Sequence, residues 1–314
     1  MSKTQRTQWI AWLLNFPSIA IILALTTYPV VYSLWVSFHR YNLRNPDSIP
    51  FVGLGNYIDV LNDPVFWDSL KVTLYFCIIS VTLVIIIGMM VALLFDQPFS
   101  GRGLARALLL IPWAIPGVIN GLMWKGLLTK AGGINGLLNE FVTIVNLGIR
   151  SITRGHIEQI ATPMSFAPSW LSHSFLALNS ACAAHIWKEV PFAAIVFLAT
   201  LQAVPKEEYA AARVDGAGEW NRVRYITVPW LAPAIVIVAI FETMTSFRTF
   251  DLIFTLTGGG PGRGTNIIAH QTYREAFTFL NFGAANAYCY LIAVITVGLS
   301  VAYIQLLRKG ATIT

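Results

Sequence analysis

Charged residues are scarce in this chain. Only 11% of its 314 residues are Asp, Glu, Lys or Arg, whereas 56% are hydrophobic. Soluble domains carry about 25% charged residues, so the composition excludes an ordinary soluble domain and indicates a protein built for lipid. The formal charge of +6 comes from scattered basic residues, which predicts basic membrane loops and no nucleic-acid partner.

Cysteine is also rare. Cys77, Cys182 and Cys289 all lie in apolar runs, without the spacing of a zinc site or a disulfide framework. We therefore expect buried thiols that pack as small hydrophobic groups, and no metal site.

What the chain has instead is long apolar runs. A helix needs about 20 apolar residues to cross a bilayer, and six segments approach or exceed this length: 16–38, 72–95, 107–124, 176–204, 231–256 and 282–307. The sequence predicts an all-α polytopic membrane protein with six transmembrane helices, in one membrane domain over residues 1–314.

Loop charges choose the orientation of these spans. With the N-terminus inside, the short cytoplasmic pieces hold many of the basic residues: Lys3, Arg6, Arg102, Arg106, Lys206, Arg213, Arg222, Arg224, Arg308 and Lys309. Because basic residues concentrate in cytoplasmic loops, we predict that both termini are cytoplasmic.

A polar island interrupts the apolar runs between the predicted spans four and five. Pro205 is suited to start a helix, Glu207 and Glu208 favour its first turn, and Gly216 can end it after Val214. A second short helix is predicted to end at an Ile-x-x-Pro element, Ile226 to Pro229. Residues 205–229 therefore form a cytoplasmic helix–turn–helix.

The island resembles the EAA loop of permease subunits of ABC importers, in the carbohydrate-uptake branch (maltose and glycerol-phosphate type). Weaker similarities follow in family order along the chain, at Phe51–Tyr57, Trp187–Phe192, Gly258–Pro261, Tyr273–Phe277 and Gly283–Ala287. The resemblance implies a multi-pass subunit of the bacterial inner membrane. Its partners would be a second related permease, two ATPase subunits and an external solute-binding protein, and the extra segment 142–174 is a possible contact for the last.

The resemblance also assigns residues 205–229 as a coupling loop that docks on the ATPase. The residues carried over are Glu207, Glu208, Tyr209, Ala210, Ala211, Ala212, Asp215, Gly216, Ala217, Ile226 and Pro229. Ala210 stands where the family usually has a glutamate, and Glu207 lies one turn earlier on the same helical face. We hypothesise that Glu207 supplies the missing carboxylate.

Ionisable residues inside spans are the best indicators of a solute path, because a charge at the bilayer centre costs about 2.5–3.5 kcal/mol on insertion scales and usually faces a cavity or a partner. The candidates are Lys188, Glu189, Glu242, Arg248 and Asp251, with an aromatic stripe of Phe247, Phe250 and Phe254. Arg248 and Asp251 are predicted to pair on one helical face. Lys188 and Glu189 are predicted to diverge by about 100° and therefore not to share a face. A structural ion pair and helix-packing aromatics remain the alternative for these residues.

The glycine-rich run at 257–264 lacks the Gly-Lys-Ser/Thr of a phosphate-binding loop, so we predict a tight turn and no nucleotide site. ATP and magnesium would then bind a partner ATPase, and this chain would carry no cofactor and no catalytic residue. Two alternatives are a self-sufficient carrier or channel and a membrane-embedded enzyme. The first leaves the polar island unexplained. The second lacks a His-Glu-x-x-His motif, an aspartyl pair and a serine nucleophile near His185.

Overall fold

The computed structural model describes residues 3–152 and 168–311, and the regular secondary structure of this part of the chain is helical, with two isolated bridges, His39–Phe51 and Asn42–Asn281, in the loops. The helices are α1 (Lys3–Ile22), α2 (Tyr28–Ser37), α3 (Gly55–Asn62), α4 (Pro64–Asp96), α5 (Arg102–Leu109), α6 (Ile111–Ala114), α7 (Gly117–Leu127), α8 (Gly133–Ile152), α9 (Ser174–Leu201), α10 (Lys206–Val214), α11 (Glu219–Arg222), α12 (Val228–Arg248), α13 (Asp251–Leu256), α14 (Ile268–Tyr273) and α15 (Phe282–Ala311). The predicted all-helical class is confirmed for the described residues.

Five helical segments are long and apolar enough to cross a bilayer: Trp12–Ser37, Pro64–Asp96, Ser174–Leu201, Glu219–Arg248 and Phe282–Gln305. A sixth span exists only if Arg102–Ala114 and Gly117–Leu127 count as one, because these two pieces are bent by 93°. The bend lies at Ile115 and Pro116, which both have extended ψ angles. Proline disfavours a helical conformation in the preceding residue, so the predicted third span is broken.

By contacts, the chain divides into two compact units, the first of which comprises residues 1–67 and 272–294. In this unit, the buried rings of Phe66 and Tyr288 meet edge to face at 5.5 Å. The buried Asn56 side chain, within the segment predicted to be an external motif, donates to the backbone oxygens of Ser37 and His39 at 2.8 and 2.9 Å. The helical stretch Trp12–Ser37 buries little of its apolar surface, as expected of a helix that faces lipid.

The second unit comprises residues 68–271 and 295–314. Its centre is α9, whose small buried residues, including Ala177, Ala181, Ala184 and Ala193, let neighbouring helices approach closely. A Cβ placed on Gly88 of α4 would lie 2.8 Å from Cβ of Ala193. Small residues at helix contacts allow such close packing in membranes.

The glycine-rich run at 257–264 forms a turn, as predicted, with positive φ at Gly258, Gly259 and Gly262. A buried polar network follows the turn, in which Nδ2 of Asn266 donates to Oγ of Ser69 and Oε1 of Gln271. The predicted contact segment 142–174 begins in α8, and its residues 153–167 lie outside the described part of the chain.

Candidate functional site

A cavity of about 390 Å³ opens in the second unit where α12 gives way to α13. Five of the eight predicted solute-path residues line it: Lys188, Glu189, Arg248, Phe250 and Asp251. The other lining residues are Gly117, Asn120, His185, Thr245, Thr249 and Leu252. We call it the charged cavity. Because α7, α9, α12 and α13 all contribute, the tertiary fold gathers residues that are distant in sequence.

The predicted fifth span is not one continuous helix. Helix α12 ends at Arg248, Thr249 is extended (ψ 97°), and α13 begins at Asp251. The prediction that Arg248 and Asp251 pair on one helical face is therefore wrong, and within residues 3–152 and 168–311 no ion pair joins them. Helix ends leave backbone groups without intrahelical partners, so the break adds polar backbone to the cavity wall.

Asp251 lies at the N-terminus of α7. A Cβ on Gly117 would overlap the Asp251 carboxylate, so only glycine admits this approach. The other carboxylate oxygen, Oδ1, accepts the backbone N–H of Leu252 at 3.0 Å. The partial positive charge of a helix N-terminus favours a carboxylate, which replaces the predicted partnership with Arg248.

Behind the cavity wall, Glu242 pairs with His185 and does not line the cavity. Nε2 of His185 donates to Oε1 of Glu242 at 2.6 Å, and the two residues are only 3% and 1% exposed. The Oγ of Ser246 lies 3.5 Å from the same carboxylate oxygen. Of the pair, only His185 lines the cavity. The partnership was missed from the sequence, where the only signal was an ionisable residue in each of two predicted spans.

Lys188 and Glu189 form an ion pair of 2.8 Å between Nζ and Oε1. The prediction that they cannot share a face is wrong, because the flexible four-carbon stem of lysine can turn its ammonium toward a neighbour. Glu189 is buried and Lys188 is half-buried. The pairing lowers the cost of holding both charges within a span.

The predicted phenylalanine stripe is divided by the helix break. Phe247 is buried and does not line the cavity. Phe250 lines it, with its ring centroid 5.2 Å from that of Phe254 and 6.2 Å from that of His270. One aromatic face therefore remains at the cavity.

Asn120 is a cavity residue that sequence reasoning missed. Its Nδ2 donates to the backbone oxygen of Ala184 at 3.2 Å, whereas its buried Oδ1 has no hydrogen-bond partner within the described residues. An amide in an apolar span was the available signal. The free acceptor suits a ligand that offers a hydroxyl group.

The predicted coupling loop begins with α10, which ends at Val214 as predicted. Gly216 has φ +76°, the Gly216 N–H donates to the Arg213 oxygen at 3.1 Å, and the Ala217 N–H donates to the Ala212 oxygen at 2.9 Å. These bonds form a Schellman motif, so Asp215, Gly216 and Ala217 make a defined turn.

One face of α10 is exposed, and it carries Glu207, Ala210, Ala211 and Val214. Their spacing of three and four residues makes one continuous stripe, and Val214 is 88% exposed. Glu207 and Ala210 thus share a surface, as predicted.

The opposite side of α10 is tied to the following helices. The hydroxyls of Tyr209 and Thr227 are hydrogen-bonded at 2.9 Å, and the Trp230 indole donates to Oε2 of Glu208 at 2.8 Å. Glu208 therefore makes an internal contact in the coupling loop.

The predicted helix end at Ile226 to Pro229 is wrong. A π-helical turn at 223–227 joins α11 to α12, so helix continues from Glu219 to Arg248. Pro229 occupies the first turn of α12. A π-helical turn uses i→i+5 hydrogen bonds, and this local change of register allows the helix to run on into a segment that starts with proline.

Comparison with known proteins places these features in context. The family model for "Binding-protein-dependent transport system inner membrane component" matches residues 84–308. A trehalose/maltose transport system permease protein, MalF, of Thermococcus litoralis is 33% identical over 95% of this chain and 94% of its own. The trehalose transport system permease protein SugA of Mycobacterium tuberculosis is 32% identical over 96% and 90%.

A solved structure has a similar fold. A chain of a bacterial ABC transporter involved in the import of the acidic polysaccharide alginate superposes with a TM-score of 0.74 at 20% identity, with 98% of both chains covered. At this identity, the match concerns the fold alone.

Proposed function

The chain belongs to the family of binding-protein-dependent transport system inner membrane components and is a permease subunit of an ABC importer; on this premise we propose that it moves a sugar or sugar-like solute into the cytoplasm. The charged cavity is the observation that carries the proposal. Its 390 Å³ lies within the range of about 300–1,000 Å³ of small-molecule sites. Family membership gives no support to the alternatives of a self-sufficient carrier or a membrane-embedded enzyme.

The lining of the cavity suits a carbohydrate. Asn120 offers a buried acceptor, Asp251 and Arg248 offer charged groups for hydroxyls, and Phe250 offers an aromatic face for the C–H groups of a pyranose. The relatives named above are transport proteins for trehalose or maltose. These sugars have both the hydroxyls and the pyranose C–H groups that the cavity lining would contact.

Coupling to ATP would use the exposed stripe of α10. Glu207, Ala210, Ala211 and Val214 form a shallow surface with one carboxylate and little bulk, which a partner backbone can approach closely. We propose that a separate ATPase, which binds ATP and magnesium, docks here on the cytoplasmic side. Its closure would move α10 and, through the Tyr209–Thr227 hydrogen bond, the start of α12.

The assembly would contain this chain, a second permease, two ATPase subunits and an external solute-binding protein. Both termini would be cytoplasmic, with six spans if the bent pair 102–127 crosses as one. The cavity would open outward to receive solute and inward to release it.

The test of solute class is a reconstituted complex with its binding protein, challenged with a panel of disaccharides, amino acids and peptides. We expect only sugars to stimulate ATP hydrolysis. Asp251→Asn should reduce sugar-stimulated hydrolysis while the complex still copurifies. Phe175→Leu, an exposed substitution outside the cavity, is the matched control. Stimulation by amino acids in place of sugars would overturn the solute class.

The test of coupling is Glu207→Ala in the same complex. We expect weaker ATPase copurification and lower sugar-stimulated hydrolysis, with Asn221→Ala, an exposed change elsewhere in the coupling loop, as the control. Full coupled hydrolysis in Glu207→Ala would reject the carboxylate role.

A further inference from the structure

A second and larger cavity, of about 630 Å³, lies behind α10 in the second unit. It is bounded by the ends of α4 and α9 and by the helical segment that continues into α12. The lining residues are Leu93, Asp96, Gln97, Pro98, Leu201, Lys206, Tyr209, Arg213, Glu219, Arg222, Val223 and Thr227. We call it the basic cavity. None of its residues lines the charged cavity.

The basic cavity uses the side of α10 opposite the exposed stripe. Lys206, Tyr209 and Arg213 are spaced three and four residues apart and line the cavity. Lys206 and Arg213 are themselves exposed, as are Glu207 and Ala210, but the last two residues do not line the cavity. The cavity is therefore distinct from the surface proposed to meet the ATPase.

Three cations and two carboxylates line it, so its lining is net positive. The carboxylates are Asp96 and Glu219. Glu219 lies 3.4 Å from a terminal nitrogen of Arg222, but its side chain is 94% exposed, so this ion pair contributes little. The Glu219 carboxylate can turn to solvent and leave the guanidinium open to another anion.

Arg222 carries the strongest sign of a missing ligand. Its side chain is only 19% exposed, and its Nε is buried without a hydrogen-bond partner in the described part of the chain. A buried donor left unsatisfied destabilises the folded chain, and more so when the group is charged. An oxyanion can accept two hydrogen bonds from one guanidinium.

The rest of the lining points to an amphiphilic ligand. Leu93, Leu201 and Val223 give the cavity an apolar side, while the hydroxyls of Tyr209 and Thr227 add polar groups. The cavity lies at the ends of α4 and α9, two helices long enough to cross a bilayer, and the ends of spanning helices are expected to lie near the lipid headgroups.

We propose that the basic cavity binds a phosphate group through Lys206, Arg213 and Arg222, and that the phosphate is the headgroup of an anionic phospholipid. Arg213 belongs to α10 and Arg222 to α11, so one bound phosphate links the two helices of the coupling loop. If the exposed stripe of α10 meets the ATPase as proposed above, the bound lipid holds that surface in place.

The test uses the full chain, purified and delipidated, in nanodiscs of phosphatidylcholine with or without phosphatidylglycerol. Bound lipid is counted by native mass spectrometry after release. We expect phosphatidylglycerol to be retained, and Arg222→Gln to weaken retention about 10- to 150-fold, which corresponds to about 1.5–3 kcal/mol for a hydrogen bond to a charged group. Lys206→Gln should weaken it in the same direction and serves as the second variant.

The matched control is Arg224→Gln. Arg224 has the same charge in the same loop, but it is exposed, packs over the ring of Tyr225 at 5.6 Å and does not line the cavity. Equal losses of phosphatidylglycerol retention in Arg224→Gln and Arg222→Gln would show that only the overall surface charge matters, and this would overturn the proposal. Thermal unfolding of each variant separates loss of binding from loss of fold.

A second arm distinguishes the source of the phosphate. Inorganic phosphate is added to the delipidated chain, and its protection against unfolding is measured. Protection by phosphate without retention of phosphatidylglycerol would reassign the site to a free anion and overturn the lipid source. If phosphate gives no protection and phosphatidylglycerol is not retained, the proposed site is overturned. Both readouts work without transport, so failure of the sugar assay leaves this inference intact.

Discussion

The contact between α7 and α13 can be tested through one glycine. A Cβ added to Gly121 would overlap the Oγ1 of Thr255. It would also lie 3.0 Å from the Cβ of Thr255 and 3.1 Å from the backbone oxygen of Leu252. The hydroxyl of Thr255 can rotate away, but its Cβ and the Leu252 oxygen belong to α13 itself. Gly121→Ala therefore requires α13 to move away from α7 by a few tenths of an ångström, next to the charged cavity.

The magnitude follows from two opposing terms. Overpacking a close contact costs about 1–3 kcal/mol, whereas alanine is about 0.8–1.0 kcal/mol better than glycine inside a helix. Gly126 lies on the same helix with nothing within 4 Å of an added Cβ. The helix term is similar for both variants, so the difference between Gly121→Ala and Gly126→Ala isolates the packing cost of about 1–3 kcal/mol.

The assay is thermal unfolding of the purified full chain in detergent, followed by the fluorescence of its ten tryptophans. Gly121→Ala should melt several degrees below Gly126→Ala, which should match or exceed the parent. In the reconstituted complex, Gly121→Ala should also impair solute-stimulated ATP hydrolysis. Equal melting temperatures for the two variants would refute the close packing of α7 on α13.

Three further outcomes follow from named contacts. Glu242→Ala leaves His185 buried without its acceptor and should lower the free energy of unfolding by about 1–3 kcal/mol. Glu242→Gln keeps an acceptor and should lower it by less. Equal melting temperatures for the two variants would contradict the pairing. Gly216→Ala places a side chain at φ +76° and should destabilise the end of α10 by about 1–2 kcal/mol. Hydrogen exchange in α10 should then be faster. Gly218→Ala, at φ −63°, is the control and should leave this exchange unchanged. Trp230→Phe removes the indole donor that ties α12 to α10, worth about 0.5–1.5 kcal/mol, and should make the coupling loop more sensitive to protease; unchanged cleavage would show that this bond does not hold the loop.

Local features of the fold were predictable from the sequence because their causes are local. Apolar length predicted helices long enough to span, and Gly216 after Val214 predicted the helix end of α10. Proline effects were only partly predictable. At Pro116 the predicted third span breaks with a bend of 93°. At Pro229 the helix continues, because a π-helical turn precedes this proline. A proline in the sequence does not by itself predict whether the helix breaks or continues through a π-helical turn.

The pairings in the charged cavity were decided by the tertiary structure. His185 and Glu242 are 57 residues apart, and Asp251 meets Gly117 across two helices, so no helical period relates either pair. The sequence by itself determined that these ionisable groups lie within apolar segments, because their cost in lipid requires a cavity or a partner. For Asp251, the partner was set by the break at Thr249, which takes its carboxylate away from Arg248 and places it at the N-terminus of α7. For these two pairs, packing in three dimensions and not spacing along the chain determines the partner of the ionisable group.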